Sequence, residues 1–291
     1  MSESSDEYGV GFISPRKITF GPKLGEGSFG EVFKGEWKRY QNGAPYYTDI
    51  AIKIVRDQTL IDNAWDEAHK MNELDHQNIL MIYGVCNHPD DAAPWMIMEY
   101  MPCGDLWNYL YNRPQGCPSD WMWSIAQGIA SGMDYLHNDA NQIHGDLAAR
   151  NCLLGHNDSV KIGDFGKFND NYSNDYCYGA GGGGNLPFPM RWMPPENVAP
   201  AFTYPYKPKF SKAGDVWAYG VVLFEIWTRA TTPYDDLTDD QVRATLAAGN
   251  NPYHFTNVLA CNFIRGLMDH CWTRNVNDRT DFAEIVERFG N

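Results

Sequence analysis

The chain changes its hydrophobic periodicity once, and that change limits what it can fold into. Up to Met101, the runs "KITFGPKLG", "EVFKGEW", "DIAIKIV", "ILMIYGVC" and "PWMIMEYM" place β-branched and aromatic residues between glycine and proline punctuation, the pattern of an antiparallel sheet. One helical interval interrupts them. In "DNAWDEAHKMNEL", residues 62–74, the apolar positions Ala64, Ala68, Met71 and Leu74 recur at helical spacing behind a candidate cap at Asp62. After the turn "PCGD" at 102–105 the texture becomes helical: "LWNYLYN", "SDWMWSIAQGIASGMDYLHN", "SKAGDVWAYGVVLFEIWTR", "DDQVRATLAAG" and "LACNFIRGLMDHCW". A β-rich front third and a helical remainder predict two lobes, residues 16–101 and 102–291, joined near Met101. Residues 1–15 are acidic and weakly apolar, which predicts a flexible arm.

Two stretches stand outside this pattern. "KRYQNGAPYY", between the second and third strand runs, carries Asn-Gly and Pro and is expected as an exposed hairpin loop. Residues 164–196 are Gly/Asn/Tyr-rich and include "GAGGGG"; irregular chain of that length is more often functional or mobile than accidental.

Composition narrows the function classes. With 43% hydrophobic and 14% aromatic residues the chain fills a real core. Its 23 Lys+Arg against 37 Asp+Glu give a net charge of −14, which repels nucleic-acid phosphates and anionic membrane surfaces. An anionic small ligand then needs a local positive field from backbone N–H groups, a lysine or metal ions. The seven cysteines are scattered without a Cys-x-x-Cys pair, which fits reduced thiols in an intracellular setting. No run approaches the roughly 20 apolar residues of a membrane span, and "VWAYGVVLF", flanked by Asp215 and Glu225, reads as a buried core helix.

Five local features carry chemistry, and each has a plain structural alternative. Gly25, Gly27 and Gly30 in "LGEGSFGEV" form G-x-G-x-x-G, which is also compatible with an ordinary hairpin turn; the run continues as a strand, unlike a dinucleotide-binding loop that opens a helix. Lys53 in "AIKIV" and Glu67 in the helical interval could each face solvent, or together form an ion pair that aims an ammonium at phosphate oxygens. Asp164 in "VKIGDFG" suits either a turn or a hard cation such as Mg²⁺. In "IHGDLAARNCLL", Asp146 precedes Asn151 by five residues: an acid able to accept a hydroxyl proton, and an amide able to ligate a metal through oxygen. The order of all five along one chain argues against coincidence.

In that order the features resemble the protein kinase signature set, and the resemblance covers the chain from about Arg16 to Phe289. It implies an α+β, bilobal protein-kinase-like fold with a small β-rich N-lobe carrying one main helix and a larger α-helical C-lobe. Leu24, Gly25, Gly27 and Gly30 would then cover ATP, Lys53 would hold its α/β-phosphates and pair with Glu67, and Asn151 and Asp164 would bind Mg²⁺. Asp146 would be the catalytic base, with Arg150 in the same loop. "IMEYM" would be the hinge, with the backbone of Glu99 and Met101 meeting adenine, Met98 as gatekeeper, and Val32, Ala51 and Leu153 around the purine. Met71, Ile82, His144 and Phe165 would form a regulatory column, Glu196 of "PPE" would pair with Arg279, and Asp215 would tether the catalytic loop.

The resemblance also bears on the substrate. Serine/threonine kinases usually carry Lys two residues after the base; here Ala148 stands there and Arg150 follows, which resembles tyrosine kinases, as do "FPMRWMPPE" and "CWTRNVNDRTDF". In that family Pro189 and the following segment form a shelf for the phenol ring. "LAARN" is common among receptor-type members, which implies tyrosine-bearing protein substrates, ATP-site inhibitors as ligands, a cytoplasmic location, a membrane segment absent from this chain, and dimerisation in a parent receptor. A pseudokinase scaffold and a dual-specificity kinase are the alternative readings. Gly145 and Asn169 stand where the family commonly has arginines that receive a phosphorylated loop tyrosine; Tyr172, Tyr176 and Tyr178 are the candidate sites, and their phosphorylation is expected to order the loop weakly.

Overall fold

The computed structural model describes residues 11–27, 30–55, 61–88, 94–113, 115–163, 189–198, 210–254 and 258–290. Its contacts cluster into two compact units that divide after Pro102.

The first unit is a five-stranded antiparallel sheet in the order β1-β2-β3-β5-β4, with β1 Ile18–Gly27, β2 Gly30–Gln41, β3 Ala44–Val55, β4 Ile82–Cys86 and β5 Trp95–Glu99. Alternation along β3 sorts its two faces. Ile50, Ile52 and Ile54 are buried in a cluster with Ile13, Trp37, Cys86, Trp95 and Ile97, which leaves Ala51 and Lys53 for the opposite face. Helix α1, Ile61–Asn72, packs beside β4 and buries Ala64, Ala68 and Met71, three of the residues that its periodicity singles out; Leu74, just past its end, is buried too. Asp62 lies inside the helix and is not its cap.

Two expectations for this unit need correction. The stretch 38–47 is not a loop, because β2 runs to Gln41 and β3 starts at Ala44, so that only Asn42-Gly43, with φ of 51° and 80°, make the turn. Positive φ at both turn residues gives the twist that continues strand pairing, and Arg39 reinforces it by lying 5.4 Å over the ring of Tyr46, its partner across the ladder. Nor does a free arm extend to residue 15. Ile13 N–H donates to Val85 O and Val85 N–H to Gly11 O, so residues 11–13 cover the outer edge of β4. Gly84 permits this approach: with φ of 147°, a Cβ there would fall 2.2 Å from Gly11 O. Residues 1–10 lie outside the described residues.

The second unit is mainly helical, with α2 Leu106–Tyr111, α3 Ser119–Asn138, α4 Pro195–Val198, α5 Lys212–Thr228, α6 Asp239–Ala247, α7 Asn262–Cys271 and α8 Phe282–Gly290. A two-stranded sheet, β6 Cys152–Leu154 with β7 Val160–Ile162, is set among them. Helix α5 is buried on every side from Gly214 to Ile226 and forms the axis of the unit, as its uninterrupted apolar run requires. Its N-cap Ser211 accepts from Gly214 N–H. The sequence reading did not separate β6 or α8. All six cysteines among the described residues are free thiols. No helix among the described residues is long and apolar enough to cross a membrane.

Candidate active site

In the first unit, ladder register gathers one face of the sheet. Val32 pairs with Lys53 and also faces Gly25, while Ala51 pairs with Met98 and Lys53 with Met96. Directly paired residues share a face, so Val32, Ala51, Lys53 and Met98 line the side of the sheet away from the isoleucine core. Lys53 Nζ lies 2.7 Å from Glu67 Oε1, both side chains being partly buried. A mid-strand lysine is thus held by a helix carboxylate beside the apolar side chains of Val32, Ala51 and Met98. Glu99 N–H donates to Met81 O, and its side-chain Oε1 accepts from Met81 N–H at 2.7 Å, which fixes the end of β5 just before Met101. Leu24 is exposed on β1, and Gly27 and Gly30 face each other across the β1–β2 ladder.

In the second unit the residues between α3 and β6 form a loop held by buried polar groups. Asp215, in the first turn of α5, accepts from His144 N–H through Oδ2 at 2.8 Å and from Gly145 N–H through Oδ1 at 2.9 Å. His137 on α3 adds a ring nitrogen at 2.8 Å to Oδ2. Asp215 therefore tethers the loop. His144 Nδ1 accepts from Asp146 N–H, which leaves Nε2 to carry the proton and donate to Gly163 O at 3.2 Å. Gly163 N–H in turn donates to Asn151 O, so the residue immediately before Asp164 is bonded to the same loop.

Asp146 is 4% exposed, and Arg150 Nη2 donates to its Oδ1 at 2.6 Å. Asn151 Nδ2 donates to Asp146 O at 2.6 Å and to its Oδ2 at 3.1 Å. These bonds orient the carboxylate with charge assistance. The Oδ1 atom of Asn151 is buried without a hydrogen-bond partner among the described residues. A lone buried amide oxygen beside a carboxylate is the kind of donor a hard divalent cation takes, so the residues present fit Mg²⁺. Leu153 lies on β6, bridged to Asp105. The neighbouring Cys152 thiol is pushed far up by burial, reinforced by the charges of Glu225 and Asp105, and so does not act as a thiolate nucleophile.

Gly145 takes φ of 79°, and a Cβ there would lie 3.2 Å from the Phe210 ring. A side chain at this position meets both backbone strain and a tight contact with an aromatic ring, so glycine suits it. A small pocket lies against the loop, lined by Gly145, Asp146, Pro189, Trp192, Met193 and Phe210. Trp192 belongs to a short 3₁₀ turn, Met190–Trp192, which is anchored by Arg191 donating to the carbonyls of Pro233, Tyr234 and Leu237. Arg150 lies 4.4 Å over the Trp192 ring.

Asp164, Phe165, Asn169, Tyr172, Tyr176 and Tyr178 lie outside the described residues. Of the remaining column residues, Met71 and Ile82 are buried in the first unit and His144 in the second. The sequence reading missed His137, Phe210 and Glu225 as parts of the site; only Glu225 left a signal, as an acid inside an apolar helix.

The family model for protein tyrosine and serine/threonine kinases matches residues 18–289. The chain is 36% identical over 276 residues to the tyrosine-protein kinase transforming protein Abl of Abelson murine leukemia virus, covering 94% of this chain and 34% of that protein. It is 37% identical over 295 residues to the BDNF/NT-3 growth factors receptor of Gallus gallus, covering 95% of this chain and 34% of the receptor. Against the human tyrosine-protein kinase ABL2 it is 36% identical over 276 residues, covering 94% of this chain and 21% of that protein. The chain belongs to the protein tyrosine and serine/threonine kinase family, whose bilobal fold its two units show and whose members use ATP. It spans about a third or less of the length of these relatives.

Proposed function

We propose that this chain is the catalytic domain of a protein tyrosine kinase, transferring the γ-phosphoryl group of ATP to tyrosine hydroxyls of protein substrates. The observation that carries the reading is the catalytic loop. Its acid Asp146 is buried and bonded by Arg150, and Arg150 in turn stacks on Trp192 in the segment that would receive a phenol. Ala148, two residues after the acid, leaves no lysine to serve a short serine side chain. The tyrosine-protein kinases among the relatives support the same assignment, and the growth factors receptor among them supports a signalling receptor as the parent protein.

The roles follow from chemistry. Lys53, aligned by Glu67, holds the α/β-phosphates, while Leu24, Gly25, Gly27 and Gly30 cover them and Val32, Ala51, Met98 and Leu153 enclose the purine. The backbone of Glu99 and Met101 meets the adenine edge. Asn151 and Asp164 would hold Mg²⁺, which would supply neutralisation of the phosphate charge. Asp146 accepts the phenolic proton as the tyrosine oxygen attacks in line, and the preset geometry supplies most of the acceleration. Tyr172, Tyr176 and Tyr178 are candidate autophosphorylation sites, tyrosine-bearing proteins the partners, and ATP-site inhibitors the expected ligands. A parent receptor would place the domain in the cytoplasm and supply dimerisation.

Incubating the chain with Mg²⁺/ATP and an equimolar mixture of tyrosine and serine peptides tests this. Phosphotyrosine alone is the expected product. Phosphoserine without phosphotyrosine would overturn the substrate assignment, comparable amounts of both would make the enzyme dual-specific, and no transfer to either would leave a scaffold.

A further inference from the structure

Glu225 is a buried carboxylate in the last turn of α5, directly after the apolar run that fills the middle of that helix, and a buried charge of this kind is costly unless its partners are well placed. Its partners come from two different functional segments. A single oxygen, Oε2, accepts from the Ala149 N–H of the catalytic loop at 3.0 Å and from Trp192 Nε1–H at 3.0 Å. The Trp192 ring then supports the Arg150 guanidinium, which also donates to Asp146. The connection therefore closes on itself: helix carboxylate, loop backbone, Arg150, Trp192 and back to the carboxylate.

We infer that Glu225 is a positioning residue which fixes the phenol-receiving segment at Trp192 and the catalytic loop at Ala149 in one register, so that docking of a tyrosine side chain and orientation of the Asp146 carboxylate are set together. The inference rests on Asp146 being the base. Three features support it. Both donors are N–H groups fixed in a backbone or a ring, so each keeps its bond only if its segment stays in place against the carboxylate. A charged acceptor bonds about twice as strongly as a neutral one, which favours glutamate over an amide here. The shared oxygen also makes the two bonds interdependent, since a shift that shortens one by moving Oε2 lengthens the other.

This link predicts a specific kinetic pattern, different from that of a residue needed only for folding. Glu225→Gln keeps the shape and an acceptor oxygen but loses the charge. Trp192→Phe removes one donor and keeps an aromatic ring under Arg150. Each variant should lower kcat/KM for a tyrosine peptide by about tenfold, the scale of one weakened buried hydrogen bond, while KM for ATP stays within about twofold of the unsubstituted chain. Because both act on one linkage, the double variant should be no worse than about threefold below the poorer single variant.

The experiment is a set of initial-rate measurements on the chain and the three variants, with peptide and ATP varied separately, and with Asp146→Asn alongside. A multiplicative, roughly hundredfold loss in the double variant would overturn the inference. So would single variants that leave the peptide kcat/KM unchanged, or that alter peptide and ATP parameters equally. If Glu225→Gln does not fold, Trp192→Phe alone decides by the same separation of peptide from ATP effects. Full turnover by Asp146→Asn would instead remove the base assignment, whatever the Glu225 variants do.

Discussion

Asparagine in place of Asp146 lowers kcat for tyrosine phosphorylation by about 10²–10⁴-fold, the usual contribution of a positioned general base. The amide has nearly the same shape and can still take the Arg150 bond, made at 2.6 Å in the native chain, through its oxygen. It cannot take up the phenolic proton. The loss should therefore fall on kcat, with KM for ATP changing by less than about threefold, since Lys53 and its Glu67 partner belong to the other unit and are untouched. Initial rates at saturating Mg²⁺/ATP read this directly. Activity within a few-fold of the native chain would show that Asp146 is a structural acid and not the base.

The second large effect is on stability. Arg279, just before α8, has a side chain with no exposure, and its guanidinium donates to Glu196 Oε1 at 2.7 Å and Oε2 at 3.2 Å. It also bonds Ala213 O and Thr273 O and lies 5.1 Å over the Trp217 ring. Glu196→Ala removes the only carboxylate in that set and leaves the cation buried. Breaking such a pair from one side costs about 3–5 kcal/mol. Glu196 keeps 32% exposure, so water screens part of the loss and the lower end of that range is expected. Urea unfolding of the two chains, compared at equal m-value, measures it. A difference under about 1 kcal/mol would mean that the two carbonyls and the Trp217 ring suffice to hold Arg279.

How much of this could be read in the sequence depends on the range of the interaction. Spacing along one element was legible: Ala64, Ala68 and Met71 line the buried face of α1, and the long apolar run with Gly220 at its centre is a core helix. The order of Gly25, Lys53, Glu67, Asp146 and Asn151 points to the kinase family by itself. The polar and proline residues around Asn42-Gly43 read as a loop, yet the turn itself needs only two residues and cross-strand pairs such as Arg39 with Tyr46 keep the strands paired beyond it. Gly11–Ile13 read as part of a flexible arm, since covering a sheet edge depends on a partner, Val85, far away in the chain. Asp215 and Glu225 show the same contrast within one helix. Asp215 was assigned by family resemblance alone, and Glu225, which bonds residues 76 and 33 positions away, had only its burial in an apolar run to mark it.

Every role proposed for these residues depends on uptake of ATP together with a divalent metal. Isothermal titration of the chain with a non-hydrolysable ATP analogue, with and without Mg²⁺, tests it most directly. Saturable one-to-one binding that weakens strongly when Mg²⁺ is withheld is the expected result. Absence of binding in the presence of Mg²⁺, or binding indifferent to it, would contradict the account.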